Sequence, residues 1–450
     1  MPSEDGPAAA RAIDDILARF VRYHPDRIDL SLDRMYRLLA DLDDPHQKLP
    51  PVIHVAGTNG KGSTVAFLRA ALEASGKVVS AYTSPHLIRF AERYRIAGAI
   101  PDDATLLALF EEIEDRNAGK PITEFEITTA AAFLAFSRAS ADVVLLEVGL
   151  GGRFDATNVV ERPLTTIITR IAMDHIDFLG DTIPEIAREK AGIQKPGVPS
   201  IIGPQPDAAL AVISAHGEAI GAPLYRAGRE WSGEADPETG GFTYRRGPTE
   251  WSMPEPGLPG QHQIDNAATA TACLDICNLP GLTQTNIAEG LAHIDWPGRL
   301  QKLAPGALTA ILPEDWDIWI DAGHNPSGAQ AAAQMFRTRD AADGRPLHLI
   351  LAMARDKDVP GFLAPFREVT ASVTAIPVPG EPRIHDPADL AAFFAPAGLT
   401  GTAAVSLKSA LTTLACQPAP GRILITGSHL AAGAALSANG LDRTGSPALS

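Results

Sequence analysis

Cysteine is scarce in this chain. Its three copies, Cys273, Cys277 and Cys416, are too few and too unevenly spaced for a disulfide framework or a zinc site. Cys273 and Cys277 share one face of a predicted helix and read as buried thiols. Basic runs are missing too: 38 Lys and Arg stand against 54 Asp and Glu, a formal net charge of −16. That balance excludes a nucleic-acid-binding surface, and anionic ligands must be drawn by local positive groups. No apolar stretch has the length of a signal-peptide core or a membrane span, and the first residues include Glu4 and Asp5. A cytoplasmic, reducing location with no membrane partner is the expectation. No internal repeat is found. What remains, 45% hydrophobic and 20% charged residues over 450 positions, suits a soluble enzyme too long for one core. Two domains are expected.

The chain is organised around Val52-Ile53-His54-Val55-Ala56-Gly57-Thr58-Asn59-Gly60-Lys61-Gly62-Ser63-Thr64. Its apolar, β-branched start predicts a buried strand, and helical periodicity begins after Thr64. A strand, a glycine-rich turn carrying one lysine and then a helix form the context of a phosphate-binding loop. Gly57, Gly60 and Gly62 let backbone N–H groups approach an anion, and the helix turns its unpaired N–H groups to the same point. Lys61 would reach the outer phosphates, with the Ser63 or Thr64 hydroxyl serving phosphate or Mg²⁺. Gly62 separates Lys61 from Ser63, a departure from G-x-x-x-x-G-K-[ST].

Two further strands end in the same manner. The apolar run 142–148 carries Glu147 at its C-terminal end, where a carboxylate is costly unless it is paired or binds a metal. The strand at 164–171 leads to Asp174-His175. In open α/β sheets ligands gather outside the carboxyl ends of the strands, so these endings converge on one site. Helices are predicted at 12–20, 32–42, 103–116, 127–137, 184–191, 266–277 and 286–292, with a β excursion at 228–251. Residues 1–10 and those after about 436 read as unstructured. Trp296-Pro297-Gly298-Arg299 breaks the pattern, so a domain boundary is placed near it, dividing 1–297 from 298–450. Beyond it, strands at 308–312, 318–321, 347–353, 373–378 and 422–426 alternate with helices, giving a smaller α/β domain with its own parallel sheet.

Taken together these motifs resemble the folylpolyglutamate synthase/dihydrofolate synthase family, a branch of the Mur ligase superfamily. The resemblance rests on residues 57–63, 83–87, 147–158, Asp174-His175, Glu189-Lys190-Ala191-Gly192-Ile193, Pro297-Gly298-Arg299 and 321–326, in order over nearly the whole chain. It implies an α/β fold with a Mur-ligase-like P-loop central domain, its sheet mostly parallel, and a smaller C-terminal Rossmann-like α/β domain. It also implies an ATP-dependent ligase joining L-glutamate to dihydropteroate or a folate, as a monomer. By that resemblance Gly57, Thr58, Asn59, Gly60, Lys61, Gly62 and Ser63 hold the ATP phosphates. Asn266, Arg299 and Asp321 match ATP contacts, His324 lies beside them as a candidate for glutamate's carboxylates, and Ser84, Glu147 and His175 match Mg²⁺ ligands. Leu30, Ser31 and Leu32, Thr123, Glu124, Phe125 and Glu126, and Phe154, Asp155 and Ala156 match stretches lining a pterin site. Lys190 matches a lysine carried as a carbamate beside a second Mg²⁺, and Lys61, Lys190 and His175 form the implied catalytic set.

Two positions depart from the family pattern. Asp321-Ala322-Gly323-His324 replaces the commoner Asp-Gly-Ala-His, and Arg170 stands where Asn is frequent. Rival readings remain: a folylpolyglutamate synthase alone, a cell-wall Mur ligase, an NTP-driven switch, or a nucleotide-binding scaffold. The short segment before the loop disfavours the cell-wall enzyme. The second α/β domain and the lack of an Asn-Lys-x-Asp motif disfavour the switch, and a metal acid has no use in a scaffold.

Overall fold

The computed structural model describes residues 6–24, 29 and 31–440. The chain forms two compact units: one of residues up to Pro85 with Ala91–Gly257 and Ile264–Asp295, and another of His86–Phe90, Leu258–Gln263 and the chain from Trp296 on. Two short excursions therefore count with the second unit, a feature that a linear reading of turns and periodicity does not reveal.

The first unit is built on seven strands: β1 Val52–Ala56, β2 Val79–Tyr82, β3 Tyr94–Arg95, β4 Val143–Glu147, β5 Thr165–Ile168, β6 Ser200–Ile202 and β7 Leu224–Arg226. Their order is β3-β2-β4-β1-β5-β6-β7, and all pairs are parallel except β2 with β3. β1 is buried along its whole length, as a central strand covered on both faces must be. In register, Val55 stands opposite both Glu147 of β4 and Ile167 of β5. The carboxyl ends of β2, β4, β1 and β5 thus lie side by side, so the segments that leave them start from one edge. A core of Ala56, Val148, Ile168, Ile171, Ile186, Ala187, Ala191 and Ile213 binds this edge to the helices Ile183–Ala191 and Asp207–Ile220. The β excursion is an antiparallel sheet of β8 Ser232–Ala235, β9 Phe242–Arg246 and β10 Thr249–Met253.

The second unit holds β11 Gln301–Lys302, β12 Asp317–Ile320, β13 Leu347–Leu351, β14 Thr370–Ala375, β15 Gly401–Ala403 and β16 Arg422–Thr426, in the order β11-β12-β16-β13-β14-β15. Only β11 runs antiparallel to its neighbour. Alternate residues feed two cores: Leu347, Leu349 and Leu351 face one, Ile350 and Ala352 the other. That period of two is why these strands read as continuous apolar runs.

Several expectations need correction. The apolar stretch 308–312 is no strand but a 3₁₀ turn, Thr309–Ile311, with Leu308 and Leu312 pointing into the core. Short apolar runs cannot be told apart by periodicity alone. The first helix begins at Gly6 rather than at residue 12, and the last, His429–Ala438, outlasts position 436. β11 and β15, of two and three residues, were too short to show a pattern. No helix among the described residues is long and apolar enough to cross a membrane.

Candidate active site

β1 ends at Ala56, and the glycines that follow are dictated by contact as much as by conformation. Gly57 has φ +150°, and a Cβ there would sit 1.8 Å from Thr169 Oγ1. Gly60 has φ +90°, and its Cβ would sit 2.2 Å from Asn266 Oδ1. No side chain fits either position, so Asn266, on the helix Gln261–Cys277, lies directly over the turn. The helix Lys61–Ala74 starts immediately after Gly60, and its first internal bond runs from Thr64 N–H to Gly60 O at 2.8 Å. The N–H groups of Lys61, Gly62 and Ser63 therefore have no partner within the helix, which makes its N-terminus an anion seat. Thr58 and Asn59 behave differently: both donate their N–H to Arg170 O at 3.1 Å, and Thr58 Oγ1 donates to Ala172 O at 3.0 Å. The anion-facing part of the loop is thus the stretch from Gly60 to Ser63.

Lys61 Nζ folds back on Gly57 O (3.1 Å) and Thr58 O (3.3 Å). Lys190, 4% exposed on the helix Ile183–Ala191, donates to the same Gly57 carbonyl at 3.0 Å. Burial, and then the nearby Lys61 ammonium, lower the Lys190 pKa from 10.5 to about 7. Gly152 allows the loop after β4 to lie on this helix end, since a Cβ would meet Glu189 O at 2.8 Å, and Arg153 N–H donates to that oxygen.

Glu147, at the end of β4, is 4% exposed and accepts Ser84 N–H at 3.2 Å from the end of β2. His175 has φ +51°, its N–H reaches Asp174 Oδ1 at 3.0 Å, and its ring nitrogen stands 3.9 Å from that carboxylate. Among the described residues no three His, Cys, Asp or Glu side chains form a ready metal cage. One carboxylate, a hydroxyl and an imidazole still suit Mg²⁺, which keeps most of its waters and takes phosphate oxygens instead of an all-protein cage.

The three stretches matched to a pterin site are tied to one another. Glu126 Oε2 accepts Thr123 N–H and Oγ1–H, both at 2.8 Å, closing a capping box on the helix Glu124–Arg138, and also accepts Arg34 Nε–H at 3.0 Å. Arg34 in turn pairs with Asp29 at 2.7 Å, beside Ser31 and Leu32. Leu30 lies outside the described residues. Phe125 packs where a Cβ on Gly149 would stand, 2.2 Å from its ring, so the helix start meets the loop after β4. In that loop Phe154 is 37% exposed under the Arg153 guanidinium (4.7 Å), Glu124 is half-buried and Ala156 is buried. Asp155 is turned inward: it accepts N–H from Leu150 (2.8 Å) and Thr157 (2.9 Å) and the Thr157 hydroxyl (2.5 Å), and burial raises its pKa. His54, wholly buried on β1, completes the chain at 2.8 Å from Thr157 Oγ1, its pKa pushed down to about 3 by desolvation. Thr157 donates to Asp155, so the neutral imidazole donates Nε2–H to Thr157. His54 sits inside the signature stretch, and its part in this relay was not foreseen.

The remaining positions lie in the second unit. Asp321, at the end of β12, accepts Leu300 N–H (3.0 Å) and Gly323 N–H (2.8 Å), which holds Arg299 at the same turn. A Cβ at 323 would come 2.5 Å from Asp321 Oδ1, so glycine there spares that carboxylate, which accepts the Gly323 N–H, a steric shift. His324 Nδ1 stands 3.1 Å from Ala322 O, and its ring lies 5.6 Å from that of His429. His262, unforeseen, is half-buried close to Asp321 and Arg299, and desolvation lowers its pKa.

Residues 55–274 match the Mur ligase middle domain. The dihydrofolate synthase/folylpolyglutamate synthase of Bacillus subtilis (strain 168) is 38% identical over 341 residues, 73% of this chain and 76% of that protein. E. coli FolC in complex with DHPP and ADP has a TM-score of 0.85 at 32% identity, over 95% of this chain and 98% of its own. A bifunctional folylpolyglutamate synthase/dihydrofolate synthase with Mn, AMPPNP and L-glutamate bound has 0.80 at 33%, over 94% and 97%. With this identity over this share of its length, and with these loops at the strand ends, the chain belongs to the dihydrofolate synthase/folylpolyglutamate synthase family.

Proposed function

We propose that this chain is an ATP-dependent ligase that joins L-glutamate to the carboxylate of dihydropteroate and of reduced folates, through an acyl phosphate. The observation that carries it is the shared edge of β2, β4, β1 and β5. There a glycine-rich helix N-terminus bearing Lys61 and a buried carboxylate start from adjacent strands, and Lys190 reaches the same loop from the helix Ile183–Ala191. Relatives that bind ADP, AMPPNP, Mn, DHPP and L-glutamate support the same substrates here.

A carboxylate is a poor electrophile. Its oxygen attacks the γ-phosphorus of ATP, the bond to the bridging oxygen breaks, and ADP leaves an acyl phosphate. Bringing carboxylate and phosphate within about 4 Å costs roughly 4 kcal/mol at an effective dielectric of 20. The N–H groups of Lys61, Gly62 and Ser63 and the Lys61 ammonium offset that repulsion by holding the γ-phosphate as charge develops. Asn266, which lies over the turn at Gly60, contacts the rest of the nucleotide. Ser84, Glu147 and His175 would hold Mg²⁺, which when bound would supply further neutralisation of phosphate charge. The neutral glutamate amine then attacks the acyl carbon, and inorganic phosphate departs. Ser31, Leu32, the segment from Thr123 to Glu126, and Phe154 to Ala156 form the wall against which the pteroyl group lies.

Lys190 is the residue for which a covalent state is proposed. Its neutral Nζ adds to CO₂ with loss of one proton, giving a carbamate that would offer anionic oxygens to a second Mg²⁺. A pKa of about 7 keeps an appreciable share of the amine neutral at physiological pH, which supports the reading.

The test is a product assay with ATP, Mg²⁺, L-glutamate and dihydropteroate. ADP and phosphate should form in step with a pteroyl–glutamate amide. ATP turnover that proceeds equally well without any pteroyl acceptor would refute the proposal.

A further inference from the structure

The segment that follows β5, residues 169–172, belongs to no strand or helix, yet it is what the phosphate loop rests on. Arg170 O accepts the N–H groups of both Thr58 and Asn59, and Ala172 O accepts Thr58 Oγ1–H. These bonds turn 58 and 59 away from the anion seat and leave Lys61, Gly62 and Ser63 facing it. Thr169 still donates its N–H to Ala56 O at 2.8 Å, but residues 170–172 lie beyond the strand pairing that would fix their carbonyls.

One side chain supplies the missing ladder. Gln205 Nε2 donates to Ile168 O (3.2 Å) and Thr169 O (2.9 Å), while its Oε1 accepts Ile171 N–H (3.0 Å). The three bonds bracket Arg170 on both sides. Gln205 lies in Gly203-Pro204-Gln205-Pro206, between β6 and the helix Asp207–Ile220, and the two flanking prolines restrict its backbone. Gly203 N–H adds a fourth bond to Ile168 O at 3.0 Å. Both donors and the acceptor of the amide are used at once, and no other neutral side chain of that length offers this set.

We infer that Gln205 is a positioning residue for the nucleotide: it sets the Arg170 carbonyl that orients the phosphate loop, and so sets the affinity for ATP. This deepens the proposed function and rests on the phosphate loop binding ATP. The clamp orders the loop before ATP arrives, so without it the cost of ordering falls on ATP binding and is read in KM rather than in kcat.

Wild-type binding of a fluorescent ATP analogue, and its loss in Lys61→Ala, are measured first, and their failure would count against the function and not against the clamp. Gln205→Ala removes all three bonds. Gln205→Glu keeps the acceptor for Ile171 N–H and loses both donors, and it carries the same test should the alanine variant fail to fold. Both should raise Kd and KM for ATP by about tenfold, the scale of losing an orienting partner one step from the ligand, with KM for glutamate within about twofold of wild type.

Asn439→Ala is the structural control. Asn439 clamps the second unit's backbone in the same fashion, accepting Leu308 N–H (3.0 Å) and Thr309 N–H (3.4 Å) and donating to Ala304 O (3.0 Å). It should lose thermal stability without a change in KM for ATP. If Gln205→Ala or Gln205→Glu loses stability to a similar degree and keeps the wild-type KM for ATP, the inference is overturned. A KM raised equally for ATP and glutamate overturns it too.

Discussion

Lys61 and Lys190 put two ammonium-bearing side chains on one carbonyl oxygen, Gly57 O, at 3.1 and 3.0 Å. Only Lys190 is fully buried, and it yields, with a pKa of about 7. The unfolded chain keeps the ordinary 10.5, so between about 7 and 10.5 it binds more protons than the folded one. Fold stability should therefore rise with pH across that window and carry the full cost of the buried ammonium below it. Carbamate occupancy follows the neutral amine and should climb as pH passes about 7, which ¹³C NMR with labelled bicarbonate can follow. Lys190→Ala should lose most activity yet still bind ATP, and formate or acetate should restore part of the rate. Normal turnover in that variant would remove the carbamate from the mechanism.

Lys61→Ala and Glu147→Gln each remove a preorganised charge and should cut turnover by about 10² or more. Neither side chain fills a core, so thermal melting should barely move in either variant. Kinetics and melting curves together decide the matter, because retained activity in both would dissolve the phosphate and metal assignments.

At the scale of elements, the strand–loop–helix of β1 was legible because a glycine-rich turn between an apolar run and a helical period has few other readings. The adjacency of β2, β4, β1 and β5 was not, since order within a sheet depends on crossovers that leave no local pattern. Sheet position is what turns Glu147 from a costly acid into a neighbour of the loop. The loop after β4 was partly legible: its glycines and Asp155 stood out, but the inward turn of Asp155 depends on Thr157 and on His54, a hundred residues earlier. Likewise Thr123 and Glu126 match a capping box as well as a ligand wall, and the sequence alone does not show that Arg34 joins them. Thr157→Val tests the relay. It leaves the His54 Nε2–H short of a partner and removes one of the two bonds to Asp155 Oδ1, at a cost of about 1–3 kcal/mol for a buried group. The variant should melt earlier and show a raised KM for the pteroyl acceptor, while KM for ATP stays close to wild type. An unchanged acceptor KM would mean that the loop does not line the pteroyl site.

At the scale of the molecule, a net charge of −16 must accept three anionic substrates, so attraction has to come from local positive groups such as the loop and its lysines. One phosphate loop implies one place where a carboxylate becomes an acyl phosphate. Dihydropteroate brings an aryl carboxylate to that place, while a reduced folate brings the carboxylate of a glutamate attached to the same head. The pteroyl head of the longer acceptor must then sit farther away by at least about one residue's reach, roughly 3.5 Å. The wall proposed from three separate segments, around Ser31, Glu126 and Phe154, would offer both acceptors one surface. Both activities are therefore expected, and they should compete. Dihydropteroate should inhibit glutamate addition to tetrahydrofolate competitively, with an inhibition constant equal to its own KM as a substrate. Initial rates with both acceptors varied together test this: a noncompetitive pattern would require two independent centres, and no detectable rate with dihydropteroate would leave only chain extension.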